Sequence, residues 1–167
     1  VRSKWPLTKP LFVRLSVADD AGWGPDENVR LSRVLKSKGV DVIDCSSGGI
    51  RGAPVVSAGP VGYGYQVPYA EKLKKEALIQ TMAVGLIVHA DQAEEILQNG
   101  RADLIAIARE AMQNPNWALD AAQKLNASAP YALMPSPYEY WLEKRAKQVE
   151  TLIPSTHTEG INVRPSD

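Results

Sequence analysis

At 167 residues, with 44% hydrophobic and 23% charged residues, the chain is long enough to bury one real core and ordinary in composition for a globular protein. Its 19 basic and 19 acidic side chains give a formal net charge of zero, which removes the electrostatic case for nucleic acid or an anionic membrane as a main partner. A single cysteine, Cys45, excludes an internal disulfide and suits a reducing cytoplasm, the expected location; no apolar run approaches the roughly 20 residues of a membrane span. The first residue is Val1 rather than Met, which fits a fragment, a processed chain or one piece of a larger protein.

The run PLFVRLSV, residues 10–17, is compact and β-branched and predicts the first strand, ended by DDAGWGP. Asp26 and Glu27 then open a helix with Val29, Val34 and Leu35 on its apolar face, closed by Lys38-Gly39. VDVIDCSS, residues 40–47, predicts the second strand. A long segment rich in glycine and proline follows from Val56, through Gly59, Pro60, Gly62 and Gly64. Irregular loops of this length are uncommon unless they bind something or are disordered. The next helix starts near Pro68 and runs through YAEKLKKEA, and residues 78–87 predict the third strand. Asp91 begins a helix with Ala93, Ile96 and Leu97 inward, ending at Asn99-Gly100. Residues 102–108 predict the fourth strand, followed by a short helical turn and a helix restarted by Asn114-Pro115. Near the C-terminus, Ser136 as N-cap, Pro137 at the first position and Glu139 at the third form a capping-box pattern. Tyr138, Trp141, Leu142, Arg145 and Val149 then share a face that should pack on something. The remainder reads as a loose terminus. Residues 1–126 and 127–167 are the two expected domains.

Strand and helix alternate, and the strands are nearly continuous in apolar residues, as strands covered on both faces are. This predicts a parallel sheet with right-handed crossovers. The α/β pattern fits either an open doubly wound sheet or part of a (β/α)8 barrel. At roughly 30 residues per unit, eight units make a barrel of about 250 residues, and this chain carries four.

In parallel α/β folds ligands lie at the C-terminal ends of the strands. There stand Arg14, inside the first strand; Ser46-Ser47-Gly48-Gly49, ending the second; Val84-Gly85, ending the third; and Ala108-Arg109, where the fourth meets a helix. Arg14 needs a counter-charge, either a structural carboxylate or an anionic ligand. A glycine loop, a helix start and Arg109 together suit a phosphate. No metal site is expected, because His89 and His157 lack further ligands at metal-binding spacing. Cys45, within an apolar strand, reads as inert core rather than nucleophile.

The stretches PLFVRLSVAD, GVDVIDCSSGG, GYQVPYAEKLKKEA and AVGLIVHADQAEEILQNGRADLIAIAREAMQNPNW, with the later YEYW, resemble the Old Yellow Enzyme family. The likeness is greatest to its bacterial, YqjM-like (thermophilic-type) branch of FMN-dependent ene-reductases, and it covers the second half of that family's barrel, strands five to eight. It implies an FMN-dependent oxidoreductase that takes hydride from NADPH or NADH and delivers it to a small activated alkene. Arg14 would face the flavin's pyrimidine edge, and Ser47 and Gly48 would lie near the cofactor. Val84 and Gly85 would meet the FMN phosphate, with Ala108 and Arg109 as the second phosphate contact; the family usually has glycine in place of Ala108. Tyr65 and Gln66 would lie on a loop over the barrel mouth near the substrate. The family's remaining catalytic groups belong to its first half, so no catalytic residue is assigned here and the isolated chain is expected to be inactive. The place that branch gives to an arginine reaching a neighbouring active site holds Tyr140, with Arg145 one turn further on. Four strands cannot close a barrel, so the resemblance implies completion by a complementary N-terminal half-barrel chain or a second copy of this one. The non-catalytic alternative is a half barrel that binds FMN or phosphate, or only self-assembles.

Overall fold

The computed structural model describes residues 1–51 and 61–152, in two units, Val1–Leu125 and Asn126–Asp167. In the first unit β1 (Phe12–Ala18), β2 (Val42–Ser47), β3 (Gln80–Ala83) and β4 (Leu104–Ile105) form one parallel sheet in the order β1-β2-β3-β4. Helices α1 (Pro25–Ser37), α2 (Val67–Ala77) and α3 (Ala90–Gln98) join successive strands, and α4 (Arg109–Gln113) and α5 (Trp117–Lys124) follow β4. A doubly wound sheet reverses strand order at a switch point, whereas adjacent units of a barrel wall run in sequence. The observed order is that of a barrel wall, consistent with part of a (β/α)8 barrel.

Side chains alternate across a strand. On one face Val17, Ile43, Cys45 and Ala83 pack with Val29, Ala70, Leu73, Ala77, Ala93 and Ile96 from the helices, and this is the core. The opposite face carries Phe12 and Leu104, 42% and 41% exposed, together with Arg14 and Asp44. Coverage of both faces, expected from the apolar runs, is therefore seen on one face only among the described residues.

The third and fourth strands are shorter than their apolar runs suggested. Leu78 at the end of α2 has φ +54°, so the chain enters β3 only at Gln80; Gly85 (φ +109°) and Leu86 (φ +51°) end any extended course after Ala83. With β3 finished, β4 has little left to pair: Met82 and Ala83 face Leu104 and Ile105. One bond on each side, Asp103 N to Thr81 O (2.9 Å) and Ala106 N to Ala83 O (2.8 Å), completes that seam. Asp103 anchors it further by accepting from Thr81 N and from Lys74 Nζ, both at 2.9 Å.

Helix α1 departs from its expected face, since Val34 is 54% exposed and the buried contacts come from Asn28, Val29 and Ser32. Asn28, 1% exposed, donates from Nδ2 to Val17 O at 2.9 Å and to Gly24 O at 3.0 Å, tying the start of α1 to the end of β1. In the second unit α6 (Ser136–Glu150) follows the 3-10 turn Pro130–Leu133 and lies against it. Its N-cap is Pro135, with no side-chain cap, so the capping box centred on Ser136 does not form; Ser136 is already the first helical residue. None of α6 is buried, and Tyr138, Trp141 and Val149 are exposed. The Gly59-Pro60 part of the long loop, and His157 with the terminal segment, lie outside the described residues.

Two outcomes follow from this packing. Asn28→Ala leaves buried carbonyls at the β1–α1 junction without their donor and should lower stability by about 1–3 kcal/mol, read from urea unfolding. The Cys45 thiol is pushed up to about 12 by burial and then by the neighbouring Asp44 charge. It should therefore stay unreactive toward a disulfide reagent at pH 8 until denaturant is added.

Candidate functional site

The strand C-termini open onto a cleft of about 370 Å³, within the range of small-molecule sites. Arg14, Ser47, Tyr65, Gln66, Val84, Gly85, Ala108 and Arg109 all line it. Of the strand-end residues singled out in the sequence, Gly49 does not line it, and neither does Gly48. Its N–H donates to Ala18 O at 2.7 Å and its carbonyl accepts from Ser16 Oγ at 3.0 Å, so it closes the β1–β2 junction beside the cleft. Ser46, from the same strand-end run, lines the cleft as well, as do Leu86 and Glu110, which were not foreseen.

Arg14 has the counter-charge that its place in a strand demands. Its Nη1 donates to Asp44 Oδ2 at 2.8 Å and its Nη2 to Ser46 Oγ at 3.1 Å, while the side chain keeps 57% of its exposure. Register explains the pairing: Arg14 stands opposite Asp44, and Ser16 opposite Ser46, in adjacent parallel strands. Asp44 is 7% exposed and went unrecognised in the sequence, although a carboxylate in the middle of an apolar strand was a visible signal.

Gln66 sits deeper than a loop over the barrel mouth implies. It is 3% exposed, and its Nε2 donates to Ser47 Oγ at 2.7 Å. Gly85 packs directly on it: a Cβ at Gly85 would fall 2.7 Å from Gln66 Oε1 and 3.0 Å from Tyr65 Cε1. Gln66 thus latches the end of β2 to the turn after β3. Gln92, from α3, holds the same turn by accepting from Val88 N at 2.9 Å and donating to Leu86 O at 3.1 Å. Sequence patterns pointed to neither glutamine as a strut, because both roles depend on contacts made across elements.

On the far side Arg109 is the first residue of α4, exposed, with Ala108 as N-cap. At five residues α4 is too short for a sizeable dipole, so anion affinity here rests on the guanidinium and on backbone N–H groups. Two guanidinium groups, the Ser46 and Ser47 hydroxyls and a tight glycine turn make a donor-rich slot. Their chemistry fits a ligand with an anionic group and a hydrogen-bonding ring edge. Among the described residues no group of three or more His, Cys, Asp or Glu could hold a metal ion, and no helix is long and apolar enough to cross a membrane.

Gly85→Ala and Gly100→Ala separate strain from crowding. Gly100 also has a positive φ, +65°, but open space around its missing Cβ, so alanine there should cost about 1–2 kcal/mol. Alanine at Gly85 adds the collision with Gln66 and should lower the melting temperature clearly further. Equal losses in the two variants would show that the Gln66 contact is slack.

A model of the NADH:flavin oxidoreductase / NADH oxidase family matches residues 4–128. The chain is similar to the NADPH dehydrogenase of Halalkalibacterium halodurans, 50% identical over 121 residues, which are 71% of this chain and 35% of that protein. It is 44% identical to the NADPH dehydrogenase of Bacillus subtilis over 133 residues, 78% of this chain and 37% of that protein. To the NADPH dehydrogenase of Clostridium acetobutylicum it is 40% identical over 142 residues, 83% of this chain and 40% of that protein. It therefore spans a little over a third of the length of these curated relatives. FMN is the cofactor of the matching family, and the donor-rich cleft suits it. By sequence and by fold, the chain belongs to the NADH:flavin oxidoreductase / NADH oxidase family.

Proposed function

We propose that this chain supplies the phosphate-binding half of an FMN-dependent ene-reductase that reduces activated C=C bonds at the expense of NADPH or NADH. The observation that carries the reading is that Arg14, the Gly85 turn and Arg109 line one cleft at the strand C-termini. In this reading Arg109 and the backbone around Gly85 and Ala108 hold the phosphate, and Arg14 presents its remaining donors to the pyrimidine edge. Ser46 and Ser47 provide hydroxyls along the floor between them. When bound, FMN would supply the hydride-transfer chemistry between the nicotinamide and the alkene; the residues of this chain would bind, orient and electrostatically bias it. Tyr65 contributes to the wall nearest the substrate, with Gln66 beneath as its support.

The same reading requires completion of the barrel. β1 and β4 each have a single neighbour among the described residues, and the uncovered sheet face bears Phe12 and Leu104. Unpaired strand edges beside exposed apolar side chains favour association. A complementary half barrel or a second copy of this chain would cover them, and a chain without either should lack turnover.

Arg109→Ala tests the phosphate assignment. Loss of a charge-assisted hydrogen bond worth about 1.5–3 kcal/mol should weaken FMN binding by roughly ten- to a hundredfold, measured by quenching of FMN fluorescence. Unchanged affinity would refute the assignment, since a surface arginine without a ligand predicts little effect. For the assembly, light scattering at micromolar concentration should return a mass above that of one chain. A compact monomer would count against completion by a partner.

A further inference from the structure

We propose that Asp44 is a positioning residue of the cofactor site: its carboxylate fixes the Arg14 guanidinium at the cleft and subtracts from the positive field that Arg14 exerts there. The proposal rests on the reading above that bound FMN lies against Arg14, and it adds a residue that does not itself line the cleft.

Three observations converge on Asp44. It is 7% exposed within β2, flanked by Ile43 and Cys45, both fully buried on the helix-covered face. A carboxylate in such a place is unfavourable without a counter-charge, and an apolar side chain would stabilise the fold at least as well. Second, its oxygens are used unequally. Oδ2 accepts from Arg14 Nη1 at 2.8 Å, whereas Oδ1 is buried without a hydrogen-bond partner among the described residues. The carboxylate is thus directed at Arg14 rather than spread over a structural network. Third, Arg14 is held at two points, Asp44 and Ser46, which lie two residues apart on the same face of β2. Two of the five guanidinium N–H donors are engaged in this way and the rest remain for a ligand, so an otherwise exposed side chain is fixed in plane and direction.

A cation paired at 2.8 Å acts on its surroundings partly as a dipole, and its field falls off faster than that of a free charge. Negative charge that gathers on the flavin on reduction is stabilised by Arg14 and opposed by Asp44, which stands further away. Their balance sets how strongly the site favours the reduced form. The same carboxylate already acts on Cys45, whose thiol its charge helps to raise.

The test is potentiometric titration of the FMN-loaded assembly carrying Asp44→Asn, Arg14→Met, or both. Asparagine keeps an oxygen for Arg14 Nη1 and removes the charge. It should move the oxidised–reduced equilibrium about tenfold toward reduced FMN, a rise of about 30 mV for a two-electron couple. Arg14→Met should move it the opposite way and weaken FMN binding through the lost ring-edge contacts, whereas FMN affinity should change little in Asp44→Asn because Arg14 and the phosphate contacts remain. A potential that is unchanged or lowered in Asp44→Asn, while Arg14→Met falls, overturns the role of Asp44 and leaves the flavin reading standing. An unchanged potential in Arg14→Met overturns the placement of the flavin at Arg14 itself. If Asp44→Asn alone fails to fold, the double variant, which buries no unpaired charge, must have a higher potential than Arg14→Met; equality between them overturns the proposal. Loss of FMN binding in Asp44→Asn also overturns it, because removing a charge that acts only by its field leaves Arg14 and the phosphate contacts intact.

Discussion

Strand alternation under a one-sided helical cover is the constraint on which the rest of this structure depends. Helices α1 to α3 take up the apolar residues of one sheet face, so Ile43 and Cys45 are committed to the core and Asp44 and Ser46 to the other side. The parallel register of β1 on β2 then sets Arg14 across from Asp44. Neither charge is well placed in a strand alone; together they form a pair at the point where the sheet opens into the cleft. A shift of β1 by one residue would turn Arg14 into the core and leave Asp44 buried without its cation.

The cleft exists because the strands stop early. Positive backbone angles at Gly85 and Leu86 end β3 after Ala83, and β4 shortens with it. The chain released in this way becomes the turn from 84 to 89, and it is not slack. Gln66 fills the space that a side chain at Gly85 would need, Gln92 bonds the turn at two points, and Trp117 Nε1 donates to Val88 O at 2.7 Å. Irregular backbone with this many fixed contacts can hold amide groups ready for an anion, which ordinary loop flexibility would prevent. The latch between Gln66 and Ser47 makes the ends of β2 and β3 one unit, so ligand groups on either strand share a common frame.

The sequence also made much of the site legible. Arg14, the Gly85 turn and Arg109 follow apolar runs, and in parallel α/β sheets that position is where ligands bind. Asp44 escaped notice because pattern reading treats a strand as apolar and passes over the exception inside it. Gln66, named only as a loop residue near the substrate, and Gln92 were not recognised as struts, because a polar residue near a helix start looks solvated until the neighbouring strand end is seen packed against it. Gly48 lies beside Ser47 in sequence, and its backbone is spent on the β1–β2 junction beside the cleft.

Composition and periodicity determined that this chain forms parallel βα units, in what order they come, and which strand ends carry charge. These follow from local preference and burial, which the residues themselves encode. Strand lengths, the choice of Asn28 over Val34 for burial in α1, the uncapped start of α6 at Pro135 and the pairing of Arg14 with Asp44 were decided only by the tertiary structure. Each depends on what a neighbouring element offers: a strand continues only while its partner does, and a charge is tolerated in a sheet only where register supplies its counterpart.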